Sequence, residues 1–173
     1  MKTNKSVGLI VLTNMPEGLM AVLQKRGKYN FEERKRESWP GGCQVTTHGK
    51  LQEEEDFKTA LFREAAEELG EAAARLIRER ANELVEVFHL SEKGKEVVTF
   101  ALQFDFSFVQ QIRLGPSTGG LQLVEKNIVY REAGGIQDLR FLDREDGARE
   151  SKTIAMFPDE LAALKVAFEH FSS

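Results

Sequence analysis

The sequence contains little of what would indicate a disulfide-stabilised, zinc-binding or membrane-spanning protein. Cys43 is its one cysteine, which excludes an internal disulfide, and three histidines are too few to favour a Cys/His zinc site. No apolar run approaches the roughly 18 residues that indicate a membrane span, and residues 1–6 show no signal-peptide pattern. We therefore expect a cytoplasmic protein without a membrane partner.

A surplus of positive charge is also missing. The formal net charge is −4, and Arg34-Lys35-Arg36 is the one compact basic run. We read this run as a solvated loop, with a phosphate-attracting lip as the alternative, and we expect no nucleic-acid polymer as partner. With 173 residues, 41% hydrophobic and 30% charged, the chain fits a single compact domain over residues 1–173.

The pattern of apolar residues predicts a mixture of strands and helices. Turn-forming residues 14–17 separate two apolar runs and indicate a β-hairpin. The predicted elements are strands at 7–13, 18–24 and 43–47, helices at 53–69 and 71–82, strands at 84–90, 97–106, 121–130 and 139–142, a turn at 134–135, and a helix from Pro158. Because no regular βαβ repeat appears, we predict an α/β sandwich rather than a doubly wound sheet.

Three carboxylates are crowded on one face of the helix predicted before Gly70. Glu64, Glu67 and Glu68 stand at i, i+3 and i+4, within roughly a 100° arc. Like charges at this spacing repel, and a divalent cation would relieve the repulsion. Mg²⁺ prefers such oxygen ligands, together with phosphates and water. A solvated acidic face is the alternative interpretation.

The glutamates belong to a longer pattern that resembles the Nudix box of the Nudix hydrolase family. The matching positions are Gly49, Glu55, Arg63, Glu64, Glu67, Glu68 and Gly70. The chain has Ala65 and Glu71 where the family usually has larger aliphatic residues. Pro40-Gly41-Gly42 also resembles the start of a box, but only Gly49 has the required spacing to Glu55.

This resemblance implies a fold, a cofactor and an activity. The Nudix fold is a mixed β-sheet sandwiched between α-helices, and the activity is hydrolysis of the diphosphate bond of a nucleoside diphosphate linked to another moiety. Glu64, Glu67 and Glu68 would bind Mg²⁺, with Mn²⁺ as the alternative metal. Gly49 would add a backbone carbonyl. Family members are often homodimers, so a homodimer is part of the expectation.

Further residues receive supporting roles from the same resemblance. Glu55 and Arg63 would brace the loop against the helix, and the planar fork of arginine suits such a pairing with a carboxylate. Many members use another glutamate as general base or extra ligand. Glu150 is our first choice for this role and Glu145 our second.

Two other functions remain open at the level of sequence. A non-catalytic Nudix-fold module would bind a nucleotide or protein, although such modules typically lose box carboxylates. An isopentenyl diphosphate isomerase-like enzyme would have a catalytic cysteine just before the box glycine, where this chain has His48. The small-molecule diphosphate substrate is not readable, and we expect residues 25–38 and 107–120 to carry its selectivity.

Overall fold

The computed structural model describes residues 2–31, 33–135 and 154–172, and these ranges form a mixed sheet with helices on both faces. The strands are β1 Asn4–Met15, β2 Gly18–Arg26, β3 Tyr29–Asn30, β4 Lys35–Arg36, β5 Cys43–Gln44, β6 Thr47–Lys50, β7 Val85–Glu92, β8 Lys95–Phe104, β9 Thr118–Glu125, β10 Ala133–Gly135 and β11 Ile154–Met156. The helices are α1 Phe57–Leu69, α2 Glu71–Glu79, α3 Phe106–Gln110, α4 Lys126–Glu132 and α5 Pro158–Phe171, with a 3₁₀ turn at Ala81–Glu83.

Strand β1 is the centre of the main sheet, whose order is β5-β2-β1-β8-β7. It runs antiparallel to β2 and β6 and parallel to β8, while β9 pairs with β2. The predicted hairpin β1–β2 is confirmed, and the strands predicted at 84–90 and 97–106 form a second hairpin, β7–β8. The predicted mixed sheet is confirmed as well.

Helices cover both faces of this sheet, so the predicted sandwich is confirmed. In β1, Val7, Leu9 and Val11 point into a core shared with α1, α2 and α3. The alternate residues Ile10 and Leu12 point into a second core shared with α4 and α5. A strand buried on both faces has no need for polar residues at alternate positions, which explains the continuous apolar run in β1.

Helix α1 carries the acidic face that the sequence predicts, and local chemistry sets its ends. It begins at Phe57 rather than residue 53, because the Asp56 side chain caps it by accepting from Thr59 N at 2.7 Å. Gly70 has φ of +93°, which a side chain would strain, so the helix ends there as predicted. Helix α2 starts immediately afterwards at Glu71, whose side chain is exposed.

The prediction of one strand over 121–130 is wrong in its second half. Strand β9 ends at Glu125, and Lys126–Glu132 forms α4. Ile128 and Val129 are residue types that favour strands, but Val129 is buried in the core beneath α5, and this tertiary packing overrides local propensity.

Smaller differences occur elsewhere. The strand predicted over 97–106 ends at Phe104, and α3 begins at Phe106. The turn predicted at 134–135 belongs to β10, which pairs in parallel with β11. Helix α2 ends at Glu79, and a 3₁₀ turn completes the helical stretch predicted over 71–82. The strand predicted at 139–142 lies outside the described residues.

The strand predicted over 43–47 is divided into β5 and β6. Between them, Val45 N donates to Glu160 Oε1 at 3.1 Å, and Thr46 Oγ1 accepts from Val11 N at 2.8 Å. These side-chain hydrogen bonds replace the strand pairing at both residues. The interruption directs β6 along the first half of β1, next to α1.

Candidate active site

The glycine of the box lies directly against the acidic helix. A Cβ added to Gly49 would lie 1.9 Å from Cδ of Glu64, far closer than two non-bonded carbon atoms can approach. Only glycine therefore allows β6 to approach the Glu64 carboxylate. Glu64 is mostly buried, with a side chain 13% exposed, whereas Glu67 is exposed at 47%.

Arg63 connects the loop before α1 with the carboxylates on it. Its Nε and Nη2 donate to the two oxygens of Glu55, both at 2.9 Å, and Nη2 also donates to the carbonyl of Lys50 at 2.9 Å. Nη1 donates to Glu64 Oε1 at 2.7 Å and to Glu67 Oε1 at 3.4 Å. Hydrogen bonding to Arg63 lowers the pKa of Glu55 from its usual value. The predicted pairing of Arg63 with Glu55 is thus present.

Glu68 lies deeper in the fold than the other two glutamates of the box. Its Oε1 accepts from the Thr47 hydroxyl and from His48 N at 3.0 Å, and Gln24 Nε2 lies 3.5 Å from Oε2. Burial raises the pKa of Glu68 to about 7, against these hydrogen bonds, and the nearby charge of Glu64 adds to the rise. A bound cation would favour the ionised form and reverse this shift.

Neither His48 nor Cys43 has the properties that a catalytic cysteine site requires. Burial, assisted by the positive charges of Arg26 and Lys95, lowers the pKa of His48 to about 4, so its imidazole is neutral near pH 7. Burial raises the pKa of the Cys43 thiol to about 11, and its Sγ lies 3.5 Å from Gln122 Oε1. A thiol held protonated is a poor nucleophile, which weighs against the isomerase alternative.

A cleft of about 670 Å³ opens beside the carboxylates. One wall contains Gly49 and the three glutamates of the box. The cleft is also lined by residues from the two segments expected to carry selectivity, among them Arg26, Phe31 and Ser117. The residues of the basic run at 34–36 are all exposed and do not line the cleft, and Lys35 pairs with Glu33 at 2.8 Å.

The donor chemistry of this wall suits a hard cation, but the carboxylates are not arranged as a preformed cage. Within the described ranges, no group of three or more His, Cys, Asp or Glu side chains is placed to hold a metal ion. Glu64 and Glu67 are instead turned toward Arg63. Metal binding would require these side chains to rotate, which fits Mg²⁺ because it retains several waters and uses few protein ligands.

Several residues that build the site carry no motif in the sequence. Gln24 is buried, donates to the carbonyl of Thr46 at 2.6 Å and accepts from Thr118 Oγ1 at 2.9 Å, which joins three segments behind Glu68. A polar residue ending the apolar run of β2 was the only available signal. Glu150 and Glu145, proposed as general bases, lie outside the described residues.

The protein is an α/β sandwich in which an acidic helix face lies against a strand glycine and lines a polar cleft. The NUDIX domain family matches residues 2–146, so the chain belongs to this family. A search of curated proteins found no match. Among the described residues, no helix is long and apolar enough to cross a membrane.

Solved structures share this fold at low sequence identity. A mutT/nudix family protein from Listeria innocua is 17% identical, with a TM-score of 0.60 and coverage of 99% of this chain and 96% of that one. The NUDIX domain of Shewanella oneidensis NrtR, complexed with ADP ribose, is 14% identical at 0.53, covering 88% and 90%. The C. elegans Ap4A hydrolase, in a binary complex, is 14% identical at 0.50, covering 98% and 100%. At such identities the likeness concerns the fold alone.

Proposed function

We propose that this chain is a Mg²⁺-dependent hydrolase that cleaves the diphosphate bond of a nucleoside diphosphate linked to another moiety. The observation that carries the proposal is the contact of Gly49 with Glu64, in a cleft that also contains Glu67 and Glu68. A glycine reserved for a carboxylate, and an arginine bracing that carboxylate, are costly features for a surface without a function. Mn²⁺ is the alternative metal.

The residues of the site divide into ligands and supports. Glu64, Glu67, Glu68 and the Gly49 carbonyl would hold the metal, which when bound neutralises phosphate oxygens and activates water. Arg63 keeps Glu64 near the loop through its bidentate contact with Glu55. Thr47 and His48 N orient one oxygen of Glu68 and leave the other toward Gln24. Glu150 remains our proposal for the general base, followed by Glu145.

The wider setting is part of the same proposal. The named relatives include an Ap4A hydrolase and a domain complexed with ADP ribose, and each of these two compounds contains adenosine joined to a second group through phosphates. We propose a substrate of this kind, a cytoplasmic location, a single domain over residues 1–173 and a homodimer. Helix α5 follows the matched family range but packs into the same core as β1 and β2, which supports one domain.

The test is hydrolysis of a panel of nucleoside diphosphate derivatives, with Mg²⁺ and with EDTA. We expect metal-dependent product release that falls at least about 100-fold in Glu67→Gln/Glu68→Gln. The matched control is Glu71→Gln/Glu79→Gln, which removes the same charge from exposed positions of α2 outside the cleft. Equal loss of activity in both double variants would argue against a metal site on α1.

A binding module is the second candidate, favoured by the engagement of Glu64 and Glu67 with Arg63. If that engagement is permanent, Mg²⁺ will not bind strongly and nothing will be hydrolysed. Nucleotide binding without turnover across the panel, and without a stabilising effect of Mg²⁺ on thermal unfolding, would support the module and refute the hydrolase.

A further inference from the structure

Two exposed aromatic side chains lie next to each other, and one of them lines the cleft. Phe31 is 56% exposed and Tyr29 is 39% exposed, and their rings meet edge to face with centroids 4.9 Å apart at 70°. Phe31 lines the same cleft as the three glutamates of the box. Aromatic surface left open at a polar cleft is unfavourable unless a ligand covers it.

Hydrogen bonds tie the backbone around Phe31 to the loop that contains Ser117. Phe31 N donates to Ser117 Oγ at 3.0 Å, and Gly27 N donates to the Ser117 carbonyl at 3.2 Å. A Cβ on Gly27 would lie 2.8 Å from that carbonyl oxygen, so the two segments touch at a glycine. The base of the hairpin β3–β4 is closed by Glu37 N donating to the Lys28 carbonyl at 3.0 Å. The backbone around Phe31 is therefore attached to the loop around Ser117 at two points.

A half-buried cation, Arg26, lines the same cleft as Phe31. Its side chain is 20% exposed, and its guanidinium packs over the Phe157 ring at 5.2 Å from the centroid. The contact with Glu37 is long, at 3.5 Å, and within the described part of the chain the buried Nε has no hydrogen-bond partner. A partly desolvated guanidinium whose carboxylate contact is long is suited to a phosphate.

Strand β2 and the hairpin after it supply a polar, a cationic and an aromatic side chain to the lining of the cleft. Gln24, near the end of β2, lies 3.5 Å from Glu68 Oε2, and Arg26 is the last residue of the same strand. Phe31 follows in the next hairpin, and all four residues line one cleft. The cleft thus combines carboxylates, a cation and an aromatic ring, groups that suit a metal-bound phosphate, a second phosphate and a nucleobase.

We propose that Phe31, supported by Tyr29, stacks on the nucleobase of the substrate and that Arg26 binds its phosphate. This inference rests on the proposed function for the identity of the cleft, and it places the nucleotide half of the substrate within it. Stacking on one aromatic face is tolerant of base identity. The site therefore selects nucleotides over diphosphates without a base, such as prenyl or sugar diphosphates, without selecting one base strongly.

Binding of AMP and of ribose 5-phosphate, measured by NMR titration in EDTA, tests the inference without turnover. We expect Phe31→Ala to weaken AMP binding about 10-fold and to leave ribose 5-phosphate unchanged. Phe31→Tyr should retain AMP binding, whereas Phe31→Leu, apolar but not planar, should not. Arg26→Met should weaken both ligands equally. Tyr130→Ala, which removes an aromatic ring 47% exposed outside the cleft, is the control.

The outcomes separate this inference from the hydrolase proposal. Binding of AMP that depends on Phe31, in a protein that hydrolyses nothing, supports the nucleotide site and refutes only the hydrolase. Hydrolysis of the panel with an unchanged KM in Phe31→Ala, or equal loss of both ligands in that variant, overturns the nucleobase contact and leaves the hydrolase intact. Since Phe31 is exposed, its replacement should not disturb folding.

Discussion

Replacing Gly49 with alanine would place a methyl group where the Glu64 carboxylate lies. The new Cβ would be 1.9 Å from Cδ and 2.3 Å from Cγ of Glu64, whereas carbon atoms in contact are separated by about 3.5 to 4.0 Å. The carboxylate must therefore move by about 1.5 Å or more. That movement breaks its 2.7 Å hydrogen bond from Arg63.

The expected loss of unfolding free energy is about 2 kcal/mol. Overpacking of this kind costs about 1 to 3 kcal/mol, and part of the loss comes from the charged hydrogen bond, reduced because both partners retain some exposure. For a chain of this size, the melting temperature should fall by about 4 to 8 °C. Thermal denaturation of the metal-free protein measures this directly.

A double-mutant cycle tests whether Glu64 is the residue that makes Gly49→Ala destabilising. In a Glu64→Ala background the carboxylate is absent, so Gly49→Ala should cost less than about 0.5 kcal/mol. Gly135→Ala is the matched control, because no heavy atom of the described residues lies within 4 Å of its added Cβ and its φ is not positive. An equal cost of Gly49→Ala in both backgrounds would refute the argument that Glu64 is what excludes a side chain.

Two further predictions concern the same network. Arg63→Lys should lower the unfolding free energy by about 1 to 2 kcal/mol, because lysine cannot hold both oxygens of Glu55 and the Lys50 carbonyl together. Urea titration measures this change, and an unchanged midpoint would contradict the prediction. In the metal-free protein, burial raises the pKa of Glu68 to about 7, so the folded state favours the protonated carboxyl. The stability that this group contributes is full below about pH 4.5 and is lost as the pH rises through 7. The total loss of unfolding free energy over this range is up to about 3 kcal/mol. The stability difference between wild type and Glu68→Gln should follow this curve, and a difference independent of pH would show that Glu68 titrates normally.

The sequence predicts those elements whose chemistry is local. Phe57, Leu61, Ala65 and Leu69 recur every four residues with Ala60 beside them, and all are buried except Phe57, which is partly buried. Gly70 ends the helix. Helix α5 begins at Pro158, because proline at this position has no helical hydrogen bond to lose. Hairpin β1–β2 follows from the turn residues between its strands. In each case the signal lies within a few residues of the feature.

The features that sequence reasoning missed depend on partners distant in the chain. Helix α4 forms where Ile128 and Val129 favour a strand, because α5 covers Val129. The interruption between β5 and β6 depends on Glu160, more than 100 residues away. In the same way, the acidic wall of the cleft follows from the box, whereas the wall with Arg26 and Phe31 exists only after β2 and the loop around Ser117 meet.

The parallel pairing of β1 with β8 has a consequence for the order of folding. Asn4 pairs with Lys95, so the central strand waits for a partner about 90 residues later, and closing such a loop is slow. Until β8 is synthesised, one edge of a strand without polar interruption from Val7 to Leu12 stays open. Fragments ending before β8 should therefore aggregate through that edge, and chains extended just past Phe104 should be the shortest to escape it.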